Sequence, residues 1–125
     1  MGDGMKTIAA AAFLVLPTAA LHAQSMPVSE FLRRADALEK KGALALFSSD
    51  LKVLKAEVVN SGKQLRAEHD AALKKGTKPS VCLPEKAKVE REELLAHLRA
   101  IPPARRNITV KAAFADLIRR KYPCR

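Results

Sequence analysis

The sequence predicts an all-α fold: a small helical bundle of about four helices, with a C-terminal αα-hairpin stapled by one disulfide. Helical spacing of apolar residues recurs in four segments of the chain. Aromatic residues make up only 4% of it, with no Trp and one Tyr, which disfavours a β-sandwich or barrel. The length of 125 residues is that of one domain, and the apolar share of 48% is ordinary for a globular chain.

The N-terminal residues have the pattern of a secretory signal peptide. Lys6 precedes the uncharged run Thr7–Leu21, and the small residue Ala23 offers a cleavage point. The apolar stretch is shorter than the roughly 20 residues that a membrane-spanning helix needs, because it is limited by Pro17 and the polar residues His22, Gln24 and Ser25. We therefore expect residues 1–23 to be cleaved on export and residues 24–125 to form a single helical domain. The mature protein is then periplasmic or secreted, with no stable membrane span.

The first predicted helix starts behind Ser29, a good N-cap residue, and ends at Gly42. The segment Ala43–Phe47 that follows is apolar, so we expect it to be buried whether or not it is helical. One face of the helix carries its apolar residues, which are Phe31, Leu32, Ala35 and Leu38.

The second predicted helix is the longest. It begins near Ser49 or Asp50 and runs to Lys75, with Gly76 as its terminator. Gly62, near its middle, allows a neighbouring element to approach closely. Its apolar positions keep a near-heptad spacing and are Leu51, Leu54, Val58, Leu65 and Ala72.

The third and fourth predicted helices form a hairpin. The third spans Lys86–Ala100 and ends at Pro102–Pro103, because proline lacks a backbone donor and disfavours helix in the residue before it. The fourth opens at Thr109, an N-cap candidate, and runs to Lys121. Since the link between the two helices is short, we expect them to pack antiparallel.

The two cysteines lie at the open end of this hairpin, Cys82 before the third helix and Cys124 after the fourth. Export to an oxidising compartment together with this placement predicts a disulfide between them. Their spacing matches no metal site. A bridge across this loop contributes roughly 4 kcal/mol in the chain-entropy model, so the cysteines are interpreted as structural.

Residue types that carry catalysis form no recognisable constellation in the sequence. His69 and His97 belong to no metal-binding motif. The acidic residues Glu90, Glu92 and Glu93 lie where they complement a helix dipole. The sequence has no glycine-rich phosphate loop and no nucleophile elbow. We therefore expect no enzymatic activity, no catalytic residue, no cofactor and no metal.

Basic residues outnumber acidic ones by 23 to 13, a formal net charge of +10. Such an excess can bind anionic lipid or an acidic protein face. Nucleic acid is not expected as a partner, because a recognition module and stacking aromatic residues are both missing. A solvated basic surface without a specific role is the alternative that composition leaves open. The candidate partner contacts are Lys74, Lys75 and Lys78 in one loop and Arg105 and Arg106 in the hairpin link.

The C-terminal half contains cysteine–proline pairs at both ends of the hairpin. The run Val81-Cys82-Leu83-Pro84 is followed by Glu93–Arg99, then Ile101-Pro102, and finally Lys121-Tyr122-Pro123-Cys124. This pattern, over roughly residues 80–125, resembles the Rap/Tai family of immunity proteins. The resemblance implies a small exported helical protein of Gram-negative bacteria that binds and blocks a peptidoglycan amidase delivered by type VI secretion. The matching residues are framework positions, so no inhibitory residue can be carried over.

The expected function is binding of a protein partner with steric inhibition, by a monomer or a homodimer. The amidase toxin is the partner that the resemblance implies. Two alternatives remain. A periplasmic acid-stress chaperone, a class that also uses small helical domains with one disulfide, would lose its compact state in strong acid and bind unfolded clients. A basic protein attached to anionic envelope components rests on charge alone.

Overall fold

The computed structural model describes Ala12 and residues 25–125, so the predicted signal peptide, residues 1–23, lies outside the described residues apart from Ala12. The described part of the chain confirms the all-α fold. Its β-type pairing consists of one isolated antiparallel bridge between Pro27 and Thr109. The elements are α1 (Val28–Lys41), a first 3₁₀ helix (Gly42–Phe47), α2 (Ser49–Lys74), α3 (Arg91–Ala100), a second 3₁₀ helix (Pro103–Arg105) and α4 (Val110–Lys121).

The start of α1 is capped by the backbone ahead of α4 and not by Ser29. The helix begins at Val28, with Pro27 at the N-cap position. The N–H groups of Val28 and Ser29 donate to the carbonyl oxygens of Ile108 and Arg106, both at 2.9 Å. Because first-turn N–H groups have no partner within a helix, these two bonds satisfy donors that a side-chain cap would otherwise serve. The prediction of Ser29 as the N-cap was therefore wrong.

The apolar segment after α1 is exposed, contrary to the expectation that it is buried. Gly42 ends α1 with a φ of 56°, in the left-handed region that favours glycine. The chain then turns through the first 3₁₀ helix, where Leu44, Leu46 and Phe47 are 69%, 75% and 88% exposed. A short 3₁₀ helix presents only part of its side chains to one neighbour. Here Ala45 packs against the core.

The longest helix, α2, crosses the bundle and packs against both α1 and α4. The Ser48 hydroxyl accepts a hydrogen bond from the backbone N–H of Asp50 at 3.2 Å, which caps its start. Gly76, with a φ of 71°, follows its end. A methyl group on Gly62 would lie 3.4 Å from the Phe114 ring of α4, so the close approach expected at this glycine is confirmed.

The third helix starts at Arg91, five residues later than the predicted Lys86. Glu90 and Glu93 form a reciprocal capping box, in which each side chain accepts a hydrogen bond from the backbone N–H of the other. This box fixes the helix start. Residues 84–90 contain no α-helix and lead the chain from the loop to the start of α3.

The disulfide-stapled hairpin is confirmed. Cys82 and Cys124 are bridged, with their Cα atoms 5.2 Å apart. At the same end of the hairpin, the Lys121 ammonium group pairs with the Glu93 carboxylate at 2.8 Å, as antiparallel packing of α3 and α4 requires. The Thr109 hydroxyl caps α4 by accepting from the N–H three residues later, as predicted.

The core lies where the four helices meet, and α4 supplies the largest share of it. Ser61 is the one buried polar residue in the described part of the chain. No helix among the described residues combines the length and apolar character needed to cross a membrane. The buried apolar residues are Val28, Phe31, Leu32, Ala35, Leu38, Leu54, Leu65, Val81, Leu94, Leu98, Val110, Ala113, Phe114, Ala115, Leu117 and Ile118.

Candidate interaction surfaces

Exposed cations lie at the end of α2, in the loop after it and at the end of α4. The guanidinium of Arg119 donates to the carbonyl oxygen of Ser80 at 3.2 Å, which ties the loop after α2 to the last turns of α4. The disulfide makes a second tie close by. We call this surface the basic end. Its exposed residues, which form no ion pair within the described residues, are Lys74, Lys75, Lys78, Arg120 and Arg125.

Two carboxylates near the basic end are already paired with other cations. Asp116 binds Arg119 at 2.7 Å, and Glu93 binds Lys121 at 2.8 Å. The hydrogen bond from Lys121 holds the pKa of the Glu93 carboxyl below its usual value, which keeps this carboxylate ionised and paired. The cations of the basic end therefore keep a positive potential that can attract an acidic surface.

The basic end is held in place by the C-terminal residues. The Tyr122 hydroxyl accepts from the backbone N–H of Lys88 at 3.1 Å and lies 3.2 Å from its carbonyl oxygen. The Lys121 ammonium donates to the same carbonyl at 2.6 Å. Together with the disulfide, these bonds fix the end of α4 against the segment that leads into α3. The cations of α4 are thus presented from a preformed surface.

The two arginines of the hairpin link lie at the other end of α4 and have different environments. The Arg106 guanidinium donates to the carbonyl oxygens of Ile101 and Arg99 at 2.8 and 2.9 Å. It therefore satisfies carbonyls at the end of α3 that lack helical partners. Arg105 is exposed. Because α4 is about 18 Å long, the link and the loop bearing Lys78 do not form one continuous contact surface.

Among the residues considered for chemistry, His69 and the three acidic residues near the start of α3 have local partners. His69 Nδ1 lies 3.0 Å from a carboxylate oxygen of Asp70. Glu90 and Glu93 form the capping box of α3, and Glu92 binds Arg91 at 2.8 Å. No group of three or more potential metal ligands occurs among residues 25–125 and Ala12.

An apolar groove, which the sequence did not predict, opens between the C-terminal half of α1, the N-terminal half of α2 and α3. Its volume is about 1060 Å³. Leu46 of the first 3₁₀ helix, Val59 of α2 and Leu95 of α3 form its sides, and core residues such as Leu54 and Leu94 form its floor. We call this feature the groove. The only signal for it in the sequence is the apolar run Ala43–Phe47, which is too short for an ordinary helix.

These features define the class of the molecule: a small all-α bundle with one disulfide, a basic end and an apolar groove. Comparison of the chain with protein-family models, with curated proteins and with solved structures finds no match.

Proposed function

We propose that this chain is an exported immunity-type binding protein that blocks a peptidoglycan amidase delivered by type VI secretion. The family resemblance of residues 80–125 suggests the partner. The observation that carries the proposal is the basic end, whose exposed cations form no ion pair within residues 25–125 and which is held by a disulfide. A preformed surface of this kind can occlude a cleft without any chemistry of its own. Inhibitor complexes of standard size bury about 1,600 Å² in total, which a domain of this size can supply.

The disulfide supports the export part of the proposal. Structural disulfides persist in oxidising compartments and are rare in the cytosol. The bridge between Cys82 and Cys124 also fixes the position of the basic end, because it joins the loop after α2 to the residues after α4. Export to the periplasm would thus be the condition under which the binding surface forms.

Binding would begin with electrostatic attraction. Exposed charges act on the rate of encounter more than on the stability of the final complex. Their effect is screened within about 8 Å at physiological ionic strength. The partner surface is then expected to be acidic, and association should slow as salt is added.

The test compares two variants with the same change in net charge. In the first, Lys74, Lys75 and Lys78 are replaced by glutamate. In the second, the exposed residues Lys40, Lys52 and Lys63 are replaced by glutamate. Association with a candidate secreted peptidoglycan amidase from the same genome is followed by stopped-flow fluorescence at several salt concentrations. We expect the first variant to associate at least about tenfold more slowly at low salt, and the second to stay near the parent rate.

Two results would contradict this proposal. Equal association rates for both variants would show that the basic end does not face the partner. If no candidate amidase bound at all, while the acid-treated protein prevented aggregation of an unfolded client, the chaperone alternative would replace it.

A further inference from the structure

The turn between α1 and α2 exposes three large apolar side chains within four positions of the sequence. Leu44, Leu46 and Phe47 are the three most exposed large apolar residues in the described part of the chain. Exposed apolar residues gathered in one patch mark an interaction surface, whereas scattered ones need no explanation. We call the segment Ala43–Phe47 the apolar tip.

The apolar tip lies at one end of the pair of helices that α1 and α2 form. Just before α1, the backbone N–H of Met26 donates to the Glu57 carboxylate at 2.9 Å. Further along α1, the Arg34 guanidinium binds Asp50 at 2.8 Å. Advancing along α1 therefore leads back toward the start of α2, so the two helices run antiparallel. The apolar tip joins them at the end of this pair and projects from it.

Lysines without a carboxylate partner flank the apolar tip. The acidic residues nearest to it in sequence are already neutralised, because Glu39 pairs with Arg99 and Asp50 pairs with Arg34. The tip therefore combines apolar side chains with a local excess of positive charge. The flanking lysines, which are exposed and form no ion pair within residues 25–125, are Lys40, Lys41, Lys52 and Lys55.

We propose that the apolar tip is a membrane-docking surface, which inserts Leu44, Leu46 and Phe47 into the interfacial region of an anionic phospholipid bilayer. This inference is independent of the proposed function. Peripheral proteins bury apolar side chains at the boundary between headgroups and acyl chains, while neighbouring cations attract anionic lipid. Lysine suits this position, because its stem can lie along apolar surface while its ammonium group stays at the level of the phosphates.

The kind of cation favours a bilayer over a protein partner. The free cations beside the tip are all lysines, and lysine is depleted at interfaces between proteins. A second copy docked tip to tip would also bring the lysines of both copies together, which like-charge repulsion opposes. A bilayer offers many anionic phosphates and no fixed shape. It can therefore surround a tip that projects from the molecule.

The apolar tip and the basic end lie at opposite ends of α2. This helix has 26 residues, so it is about 39 Å long. Contact of the tip with lipid therefore leaves the basic end accessible to a protein partner. Because different residues carry the two proposals, they can fail separately.

Insertion is tested with a tryptophan in the apolar tip, on the chain recovered after expression with its own N-terminal segment. The sequence contains no tryptophan, so Phe47→Trp supplies a single reporter. With vesicles of phosphatidylglycerol and phosphatidylcholine in equal parts, we expect its emission to shift to the blue and to be quenched by brominated acyl chains. The matched control is Leu73→Trp, since Leu73 is also apolar, on α2 and exposed, but lies outside the tip. Its emission should show neither effect.

The apolar contribution is measured by sedimentation of the protein with the same vesicles. Phe47→Ser should weaken binding at least about tenfold, because a large aromatic side chain no longer leaves water. Leu73→Ser should stay within about twofold of the parent, because only apolar area buried in the bilayer adds to binding. Both residues are exposed, so neither replacement should change the melting temperature without vesicles.

The contribution of charge is measured with two triple variants that each remove three positive charges. The tip variant should bind at least about tenfold more weakly, since each lysine near an anionic surface adds to the attraction. The variant of the basic end should lose less than about threefold, because its charges lie several Debye lengths from the bilayer. The residues replaced by glutamine are Lys40, Lys52 and Lys55 at the tip and Lys74, Lys75 and Lys78 at the basic end.

Three results would overturn the proposal. If Phe47→Ser bound vesicles as tightly as the parent, the apolar side chains would not insert. If both triple variants lost binding equally, net charge alone would hold the protein on the vesicles. If the emission of Phe47→Trp shifted with protein concentration in the absence of lipid, the tip would contact a second copy instead.

Discussion

Removal of the disulfide by replacing Cys82 and Cys124 with alanine should lower stability strongly while leaving the fold intact. The folded chain has other contacts that keep these two ends together. Val81, next to the first cysteine, is buried, and Arg119 binds the carbonyl oxygen of Ser80 at 3.2 Å. The loss should therefore come mainly from the unfolded state, which gains freedom when the bridge is absent.

The magnitude follows from the separation of the cysteines, which is 42 positions along the chain. For a closed loop of about 43 residues, the chain-entropy relation gives roughly 4 kcal/mol at 25 °C. For a domain of about 100 residues, each kcal/mol shifts the melting temperature by roughly 4–8 °C. The double variant should then melt roughly 16–32 °C below the parent. Its urea m-value should rise, because its unfolded chain exposes more surface.

The assay is thermal and urea unfolding followed by circular dichroism, with the parent protein in reductant as the control. The reduced parent and the double variant should unfold at the same midpoint. The reasoning is refuted if the variant melts less than about 5 °C below the parent, close to the effect of a single kcal/mol. It is equally refuted if the variant loses its helical spectrum at 20 °C, since the remaining contacts would then be insufficient to hold the fold.

Three further predictions concern single side chains. Ser61→Ala should raise the free energy of unfolding by about 1 kcal/mol, because the buried Ser61 hydroxyl has no hydrogen-bond partner within the described part of the chain. A smaller gain than that of the exposed Asn60→Ala on the same helix would contradict this prediction. Arg106→Ala should lower the free energy of unfolding by about 1–2 kcal/mol, because two hydrogen bonds to backbone carbonyls are lost. Arg105→Ala should lower it by less than about 0.5 kcal/mol, because Arg105 is exposed. Hydrogen bonds from Arg33 and Arg34 lower the pKa of Glu30 from 4.5 to about 2, so this carboxylate stabilises the fold above pH 4.5 and loses that effect as the pH falls toward 2. In the Glu30→Gln variant, the urea midpoint of unfolding should depend less on pH between about 2 and 4.5 than it does in the parent protein.

The parts of the fold that the sequence predicted are those fixed by local signals. The N-cap at Thr109 and the stop of α2 near Gly76 each depend on neighbouring residues. The hairpin closed by Cys82 and Cys124 follows from the short link between α3 and α4. A hydroxyl one residue before a helix caps it, and glycine takes the left-handed backbone that ends one. These preferences hold whatever the rest of the chain does, so composition and spacing were sufficient.

The parts that the sequence missed depend on tertiary contacts. The start of α1 is set by carbonyl oxygens of Ile108 and Arg106, which are distant in sequence. The exposure of the segment Ala43–Phe47 depends on the angle between α1 and α2. The spacing of apolar residues along the sequence does not encode this angle. For the same reason the sequence did not predict the groove. Arg106 lies apart from the cations in the loop after α2. Predicting this would likewise have required the positions of both ends of α4.

Salt should separate binding through the basic end from binding through the groove. Added salt screens the cations of the basic end and slows encounter with an acidic partner. The groove, in contrast, has an apolar lining and equal numbers of acidic and basic residues at its rim, so contacts made there would change little with salt. The rate of association with the amidase should therefore fall as salt is added. A rate that stayed constant across the salt series would show that the partner meets the groove or another apolar face rather than the basic end.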